Sequence, residues 1–356
     1  MPINRVYLEN FRLFKKKDLN LSEEKNIILG LNGSGKTSIL ESIELMNNGK
    51  SFRTTASKDC INHNSDTFRA SLKGTCLGQE LSINGSNRLE GKLTFSRKLN
   101  NKALKRGGGF FLQTVLAKNL RMIEGEPDLR REHINKLMFH VKPSSYKLFL
   151  SYNKALKQRN RCLKQKLQKS EISAWTEQLA AIGVSLSKEQ YEFFYTFKDL
   201  LIKNLTNFSK TKNFKFLKEV DIKFNKGWQR SKSLLGSLQE SIEKDIVIGY
   251  TSQGPHRMDC EYYIKGKRAS STLSRGQLKV LILLIFLVNH DLLNLYKNSE
   301  VILLIDDLGA ELDTRHLEAV LSEISQSPNQ TVLTGIRGED LDKIVSKFSN
   351  FKRINL

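Results

Sequence analysis

The chain has 356 residues, 39% of them hydrophobic, enough for one large or two ordinary domains with ample core. Its 58 Lys and Arg against 37 Asp and Glu give a formal net charge of +21, which points to a polyanionic partner, nucleic acid before membrane. The longest apolar run, Val280–Val288, is too short to span a bilayer, Met1–Arg12 lacks an apolar signal core, and Cys60, Cys76, Cys162 and Cys260 are scattered without a C-x-x-C pair, so a cytoplasmic chain with reduced thiols and no zinc site is expected.

Met1–Leu21 alternates in the manner of an antiparallel opening hairpin. Asn26–Leu29 is short, mostly apolar and β-compatible, and Thr37–Leu45 has helical periodicity. Between them Gly30-Leu31-Asn32-Gly33-Ser34-Gly35-Lys36-Thr37 forms a complete G-x-x-x-x-G-K-T phosphate loop where a strand turns into a helix. The glycines permit backbone angles that aim successive N–H groups at one anion, and the helix dipole adds positive potential there. Lys36 is predicted to reach the β- and γ-phosphates of ATP, and the Thr37 hydroxyl to hold Mg²⁺.

Residues 51–112 hold short β-like runs punctuated by Asn84-Gly85 and Gly107-Gly108-Gly109, which predicts a β-rich lobe. The chemistry changes near Leu129: Leu129–Phe139, Tyr146–Leu167 and Ser173–Leu205 read as helices. Phe149, Tyr152, Leu156, Leu163 and Leu167 make an apolar stripe of under three heptads, suited to a short antiparallel hairpin. The same stretch carries nine Lys and Arg and no acid between Val141 and Ser170. Lys154, Lys157, Arg159, Arg161 and Lys164 are the residues assigned to a DNA backbone. A second basic cluster is Arg97, Lys98, Lys102, Lys105 and Arg106. No helix-turn-helix or aromatic single-strand platform stands out, so shape or backbone recognition is expected rather than base readout.

The last third supplies the acid. Val301–Ile305 reads as a buried central strand of a parallel sheet. Asp306 at its end is placed to share the Mg²⁺, and Asp307 to orient or deprotonate an attacking water. Gln330–Leu333 reads as the next strand, followed by Thr334-Gly335. Ahead of these, Leu273-Ser274-Arg275-Gly276-Gln277 resembles the signature of ABC-type ATPase heads. That resemblance implies that Ser274, Arg275, Gly276 and Gln277 cap the γ-phosphate of ATP held by a second subunit. It also implies that Leu308–Asp313, with Glu311 and Asp313, is a D-loop crossing the dimer interface, and that Thr334 is a switch residue. The expected fold is α/β: a P-loop ATPase head of ABC type, with a mixed sheet and a β-rich lobe, interrupted by an α-helical insertion. The expected boundaries are 1–125, 126–245 and 246–356.

Nearly end to end, the chain resembles the RecF family of recombination mediator ATPases. The matching segments are Leu8–Arg12, Gly30–Thr37, Gly49–Arg53, Arg130-Arg131 after Gly125-Glu126-Pro127, Leu156–Asn160, Thr251–Asp259, Leu273–Lys279 and Ile305–Asp313. Gly254-Pro255-His256-Arg257 is the most specific of them, and His256 is read as a residue shaping the loop rather than a catalyst. The resemblance implies dimerisation around ATP, binding of duplex and gapped DNA, and work with RecR and RecO to place RecA in replication restart and the SOS response. Two positions depart from the pattern. Ala117-Lys118-Asn119-Leu120 replaces a Pro-Glu pair, and Ala310 replaces a D-loop serine. Three other readings compete. A transporter subunit is disfavoured by Gly254–Arg257 and the charge. An SMC-type ATPase of another DNA-maintenance pathway lacks room for a long arm between Thr37 and Leu273. An ATPase with an appended nuclease has no acidic cluster beyond the head.

Overall fold

The computed structural model of the chain describes residues 2–76, 78–104, 109–210, 212–297 and 301–356. In chain order it begins with the strands β1 (Ile3–Phe11), β2 (Phe14–Asn20) and β3 (Lys25–Gly30), then the helix α1 (Lys36–Asn48). The strands β4 (Thr67–Cys76), β5 (Gln79–Arg88), β6 (Thr94–Leu99), β7 (Lys102–Ala103) and β8 (Phe111–Val115) follow. Next come the helices α2 (Arg121–Glu124), α3 (Pro127–Val141), α4 (Pro143–Lys164) and α5 (Lys169–Phe208), the strand β9 (Val220–Asn225), and helices α6 (Leu234–Glu240) and α7 (Ile242–Ile248). The strands β10 (Asp259–Ile264) and β11 (Lys267–Arg268) precede the helices α8 (Ala269–Thr272) and α9 (Arg275–Lys297). The chain ends through β12 (Val301–Ile305), α10 (Thr314–Gln326), β13 (Thr331–Ile336), α11 (Glu339–Val345) and β14 (Phe351–Asn355).

These elements fall into two compact units, 1–119 with 275–356, and 120–274. The junctions expected from the sequence are 125/126 and 245/246. The second lies later because β10, in residues 246–274, pairs with β9 along its whole length and so joins the helical unit.

The first unit has two sheets. One runs β2-β1-β4-β5-β6-β7, so the opening hairpin and the β-rich lobe are one sheet. Asn84-Gly85, expected as a turn, lies in the middle of β5. A Cβ on Gly85 would come within 2.6 Å of Met46 Sδ, so glycine is there for close approach to α1. The other sheet runs β14-β3-β13-β12-β8, with every pairing parallel. Its strand β12 is buried at all five positions, as an interior parallel strand requires. The helix α1 packs against strands of both sheets. The helix α9 begins with a stretch, Arg275–Leu293, long and apolar enough to cross a membrane, but 78% of it is buried, so it serves as a core helix.

The second unit is a helical hairpin on a small sheet. The helix α4 ends at Lys164, short of the expected Leu167, because Lys166 turns to a left-handed φ of 50°. Its partner α5 is longer than expected, 40 residues or about 60 Å. The sheet runs β11-β10-β9. The outer edge of β9 is closed by side chains. The Ile222 N–H donates to Asp221 Oδ1 at 2.8 Å, its carbonyl accepts from Lys198 Nζ at 2.9 Å, and the Phe224 carbonyl accepts from Arg230 at 3.2 Å.

Between α4, α5, α7 and the loop after α7 lies a buried polar network, and it overturns one assignment. Arg159 does not face DNA: its side chain is fully buried and ion-paired at 2.9 Å with an equally buried Asp245. It also donates to Thr176 and Thr251. The neighbouring Asn160 accepts from both the N–H and the hydroxyl of Thr251, and Asp245 accepts from Ser252. Two family-like segments, Leu156–Asn160 and Thr251–Asp259, are thus partners of one another. His256 belongs to the same structure. Its Nε2–H donates to the Thr251 carbonyl, leaving Nδ1 to accept from the Tyr152 hydroxyl at 2.7 Å. Burial above all, with Arg257 and Arg131 nearby, pushes its pKa down to about 4. It is a neutral, structural histidine.

Both tryptophans, Trp175 and Trp228, lie in this unit, so their fluorescence reports on its unfolding alone. Arg159→Met leaves the buried Asp245 without its cation, and is expected to cost roughly 3–5 kcal/mol in urea unfolding. Lys157→Met on the exposed face should stay within about 0.5 kcal/mol. Because the folded His256 resists a proton that the unfolded chain accepts, its contribution is complete above pH 6.5 and is lost as pH falls towards 4. Comparing wild type with His256→Gln across that window should show roughly 3 kcal/mol of pH-dependent stability missing from the variant.

Candidate nucleotide-binding site

The site forms at the carboxyl ends of the parallel strands, because β13 lies between β3 and β12 and brings their ends side by side. Residues 30–37 leave β3 and enter α1. Gly33 and Gly35 adopt left-handed φ values of 81° and 97°. At Gly35 a Cβ would also sit 2.5 Å from the Phe14 ring and 2.9 Å from Leu13, at the tip of the opening hairpin. The hairpin and the loop are therefore built to fit each other.

Lys36 is buried, and its Nζ donates at 2.8 Å to the carbonyls of both Gly30 and Leu31. It arches back over its own loop, parked where an incoming phosphate can take over those bonds. Leu31, Asn32 and Gly33 are exposed at the rim. Thr37 Oγ1 donates to the Asp306 carboxylate at 2.9 and 3.1 Å. Thr334, fully buried on β13, donates to the same carboxylate at 2.9 Å and accepts from the Asp307 N–H at 2.8 Å. The proposed switch residue thus touches both acids at once.

Asp307 has φ 51°, a conformation a non-glycine residue holds only when its surroundings enforce it. Its Oδ1 is buried without a hydrogen-bond partner, as is Ser34 Oγ in the loop. Groups buried in this way ask for a polar ligand, and a hydroxyl beside a carboxylate is the hard-oxygen set that Mg²⁺ prefers. The residues fit the ion and the nucleotide.

Lys279 Nζ donates at 2.6 Å to the carbonyls of Asp307 and Ala310, and burial depresses its pKa against the pull of Asp307 and Glu311. Arg275 pairs with Glu311 at 2.9 Å, and a Cβ on Gly276 would meet the Glu311 carbonyl at 3.0 Å. The start of α9 and the D-loop-like turn are thus braced together within one subunit. Asp313 caps α10 by accepting from the His316 N–H at 2.8 Å. Gln277 belongs with Arg275 and Gly276 to the first unit, and Ser274 closes the range of the second. At the departing position, Lys118 reaches the Phe52 carbonyl at 3.5 Å.

One part of the site escaped sequence reasoning. Glu41, fully buried on α1, accepts from Arg12 at 2.6 and 3.0 Å, from Ser51 at 2.5 Å and from Arg53 at 3.4 Å. Burial works against its charge, but Arg12, Ser51 and Arg53 together hold its pKa below the ordinary carboxylate value. The family-like segments Leu8–Arg12 and Gly49–Arg53 meet on this one carboxylate, behind the phosphate loop.

The basic assignments divide. Lys154, Lys157, Arg161 and Lys164 are exposed on α4. In the other cluster Arg97 bends to the Asn47 carbonyl at 2.6 Å, Lys98 and Lys102 sit on β6 and β7, and Lys105 and Arg106 lie outside the described residues.

A strand-to-helix phosphate loop, an acidic strand end and a hydroxyl bridging them define a P-loop ATPase domain, and a family profile described as AAA ATPase domain matches residues 1–356. The chain is 30% identical to the DNA replication and repair protein RecF of Pseudoalteromonas translucida, over 97% of this chain and 94% of that one. It is 31% identical to the protein of that name from Actinobacillus succinogenes, over 97% and 95%. It belongs to the RecF family of DNA replication and repair proteins. In fold it matches a structure of the recombination mediator RecF of the RecFOR pathway with ATP (TM-score 0.76, 24% identity, 95% of this chain and 93% of that one). An Smc head bound to the C-terminal winged-helix domain of ScpA is similar at TM-score 0.54 and 15% identity, covering 97% and 92%.

Gly35→Ala combines a left-handed backbone with a collision against Phe14. It is expected to weaken binding of a fluorescent ATP analogue roughly tenfold or more, from about 1–3 kcal/mol of strain. Affinity equal to wild type would mean that the loop does not hold the nucleotide in this conformation.

Proposed function

We propose that the chain is an ATP- and Mg²⁺-dependent dimerising switch that binds duplex and gapped DNA. The observation that carries this reading is the convergence of Thr37 and Thr334 on Asp306, with the unpartnered Asp307 Oδ1 alongside. Lys36 exchanges its two loop carbonyls for phosphate oxygens, and the N–H groups of 33–37 complete the cradle. Thr37 and Asp306 would hold Mg²⁺, which supplies positive charge to the phosphates. Asp307 orients the water or removes its proton. Thr334 links the two acids, so a change at the metal position is felt at the base.

The signature residues Ser274, Arg275, Gly276 and Gln277 serve the nucleotide of a second subunit, and the brace to Glu311 sets the start of α9 relative to the D-loop-like turn. Lys154, Lys157, Arg161 and Lys164 take the DNA backbone without reading sequence. Two such helices per dimer raise affinity through effective concentration. The protein partners of this reading are RecR and RecO, acting on RecA.

Sedimentation with ATP, with ADP or without nucleotide tests the switch. Asp307→Asn should slow hydrolysis and accumulate an ATP-bound dimer, whereas Ser274→Arg should bind ATP as a monomer. Should both variants remain monomeric in ATP while wild type dimerises, capping in trans is wrong.

A further inference from the structure

The structure assembles an aromatic surface in the second unit that does not follow from the sequence. Tyr191 and Tyr195 lie one turn apart on α5, about half exposed (51% and 41%), with ring centroids 4.6 Å apart. They stand on a fixed floor. Tyr191 meets Phe224 of β9 edge-on at 5.9 Å, Phe224 packs on Phe194 at 5.0 Å, and both phenylalanines are buried. Tyr191 and Tyr195 meet as tilted rings at an interplanar angle of 49°, and the positive charge of Arg230 acts on the Tyr191 phenol.

Arg230 is exposed but not loose, since one guanidinium nitrogen is fixed on the Phe224 carbonyl. The loop that carries it is cross-braced. Lys226 stacks over Trp228 at 4.5 Å and donates to the carbonyls of Arg230 and Lys232, and the Trp228 indole N–H donates to the Lys232 carbonyl. From Lys226 to Lys232 the chain holds three cations, of which Lys232 is paired with Glu240. Lys188, one turn before Tyr191, is exposed and only loosely paired with Glu192 at 3.9 Å.

We propose that Tyr191, Tyr195 and Arg230 form a stacking platform for single-stranded nucleic acid. Exposed aromatic faces next to fixed cations suit a ligand that alternates flat rings with phosphates. A duplex does not fit, because its base faces are already stacked inside. The platform has no fork of donors and acceptors aimed at base edges, so it accepts any base. It lies near the middle of α5, whereas Lys154–Lys164 close α4.

The test uses the full chain, a short oligo-dT and a blunt duplex, each titrated with salt. Tyr191→Ser with Tyr195→Ser should weaken oligo-dT binding about tenfold or more at an unchanged salt slope. Duplex affinity should stay at the wild-type value, and the double Phe variant should restore oligo-dT binding. Arg230→Gln should lower the oligo-dT slope by about 0.7. Photocrosslinking of a halogenated strand to the wild-type protein gives a second reading that needs no variant, with adducts expected within 184–232. Unchanged oligo-dT affinity in the double Ser variant, an equal loss on duplex, or adducts confined elsewhere would overturn the platform. So would failure of the wild type to bind oligo-dT at low salt. Weakened capture of a protein partner with oligo-dT binding intact would reassign the surface to that partner. Charge reversal of Lys154, Lys157, Arg161 and Lys164 that abolishes duplex binding alone would keep the two sites distinct.

Discussion

One carboxylate holds the phosphate-loop end of the first unit together. Asp306 takes hydrogen bonds from Thr37 and Thr334, and so ties α1, β12 and β13 to a single pair of oxygens. The three donors and acceptors come from positions scattered across most of the chain, yet the parallel order β3-β13-β12 leaves them no other place to meet. With two hydroxyl donors fixed on one carboxylate, the site is held ready: its partners already point inward, and little reorganisation is needed when charge arrives. The left-handed turn at Asp307 is the next residue along, and its N–H bond to Thr334 keeps that strained backbone in register.

Much of this was legible because it is local. The phosphate loop is eight consecutive residues, β12 is an unbroken apolar run, and neither requires knowledge of what lies opposite. Glu41 was not legible for the reverse reason. The helix α1 is buried on nearly all sides between two sheets, so no polar face marks the one acid that matters. Arg159 could have been found. It lies seven residues after Tyr152 and four before Leu163, on the buried stripe of α4 rather than opposite it. The counting of charges across 142–169 hid a periodicity that the same residues display. Asn84-Gly85 failed because a turn propensity yielded to packing against Met46. The tyrosines of α5 became visible only when β9 and the loop after it came to lie beside them.

The buried network of the second unit changes what its motifs mean. Leu156–Asn160 and Thr251–Asp259 are distant in sequence, and each taken alone suggests chemistry: an arginine, a histidine, a glycine-proline turn. Together they are mutually satisfied. Arg159 neutralises Asp245, Asn160 takes Thr251, and His256 spends both ring nitrogens on Tyr152 and Thr251. Gly254 has φ 132°, and a Cβ there would meet the Tyr152 hydroxyl at 2.7 Å, so the turn too is shaped by α4. The specificity of these residues is that of a lock on one conformation. Substituting any one member leaves the others with unmet bonds in a dry interior, a penalty larger than the bond itself.

A sheet of three strands has edges, and an edge is an invitation to the backbone of a neighbouring molecule. On β9 that invitation is withdrawn. Asp221, Lys198 and Arg230 occupy the Ile222 N–H and the Ile222 and Phe224 carbonyls, which a foreign strand would need. A net charge of +21 favours collection on polyanions, which would raise the local concentration of the chain. Wherever copies are crowded together, they meet with these groups already occupied. Strand exchange and fibre growth through β9 are blocked where they would otherwise be most favoured, and neighbours remain free to separate.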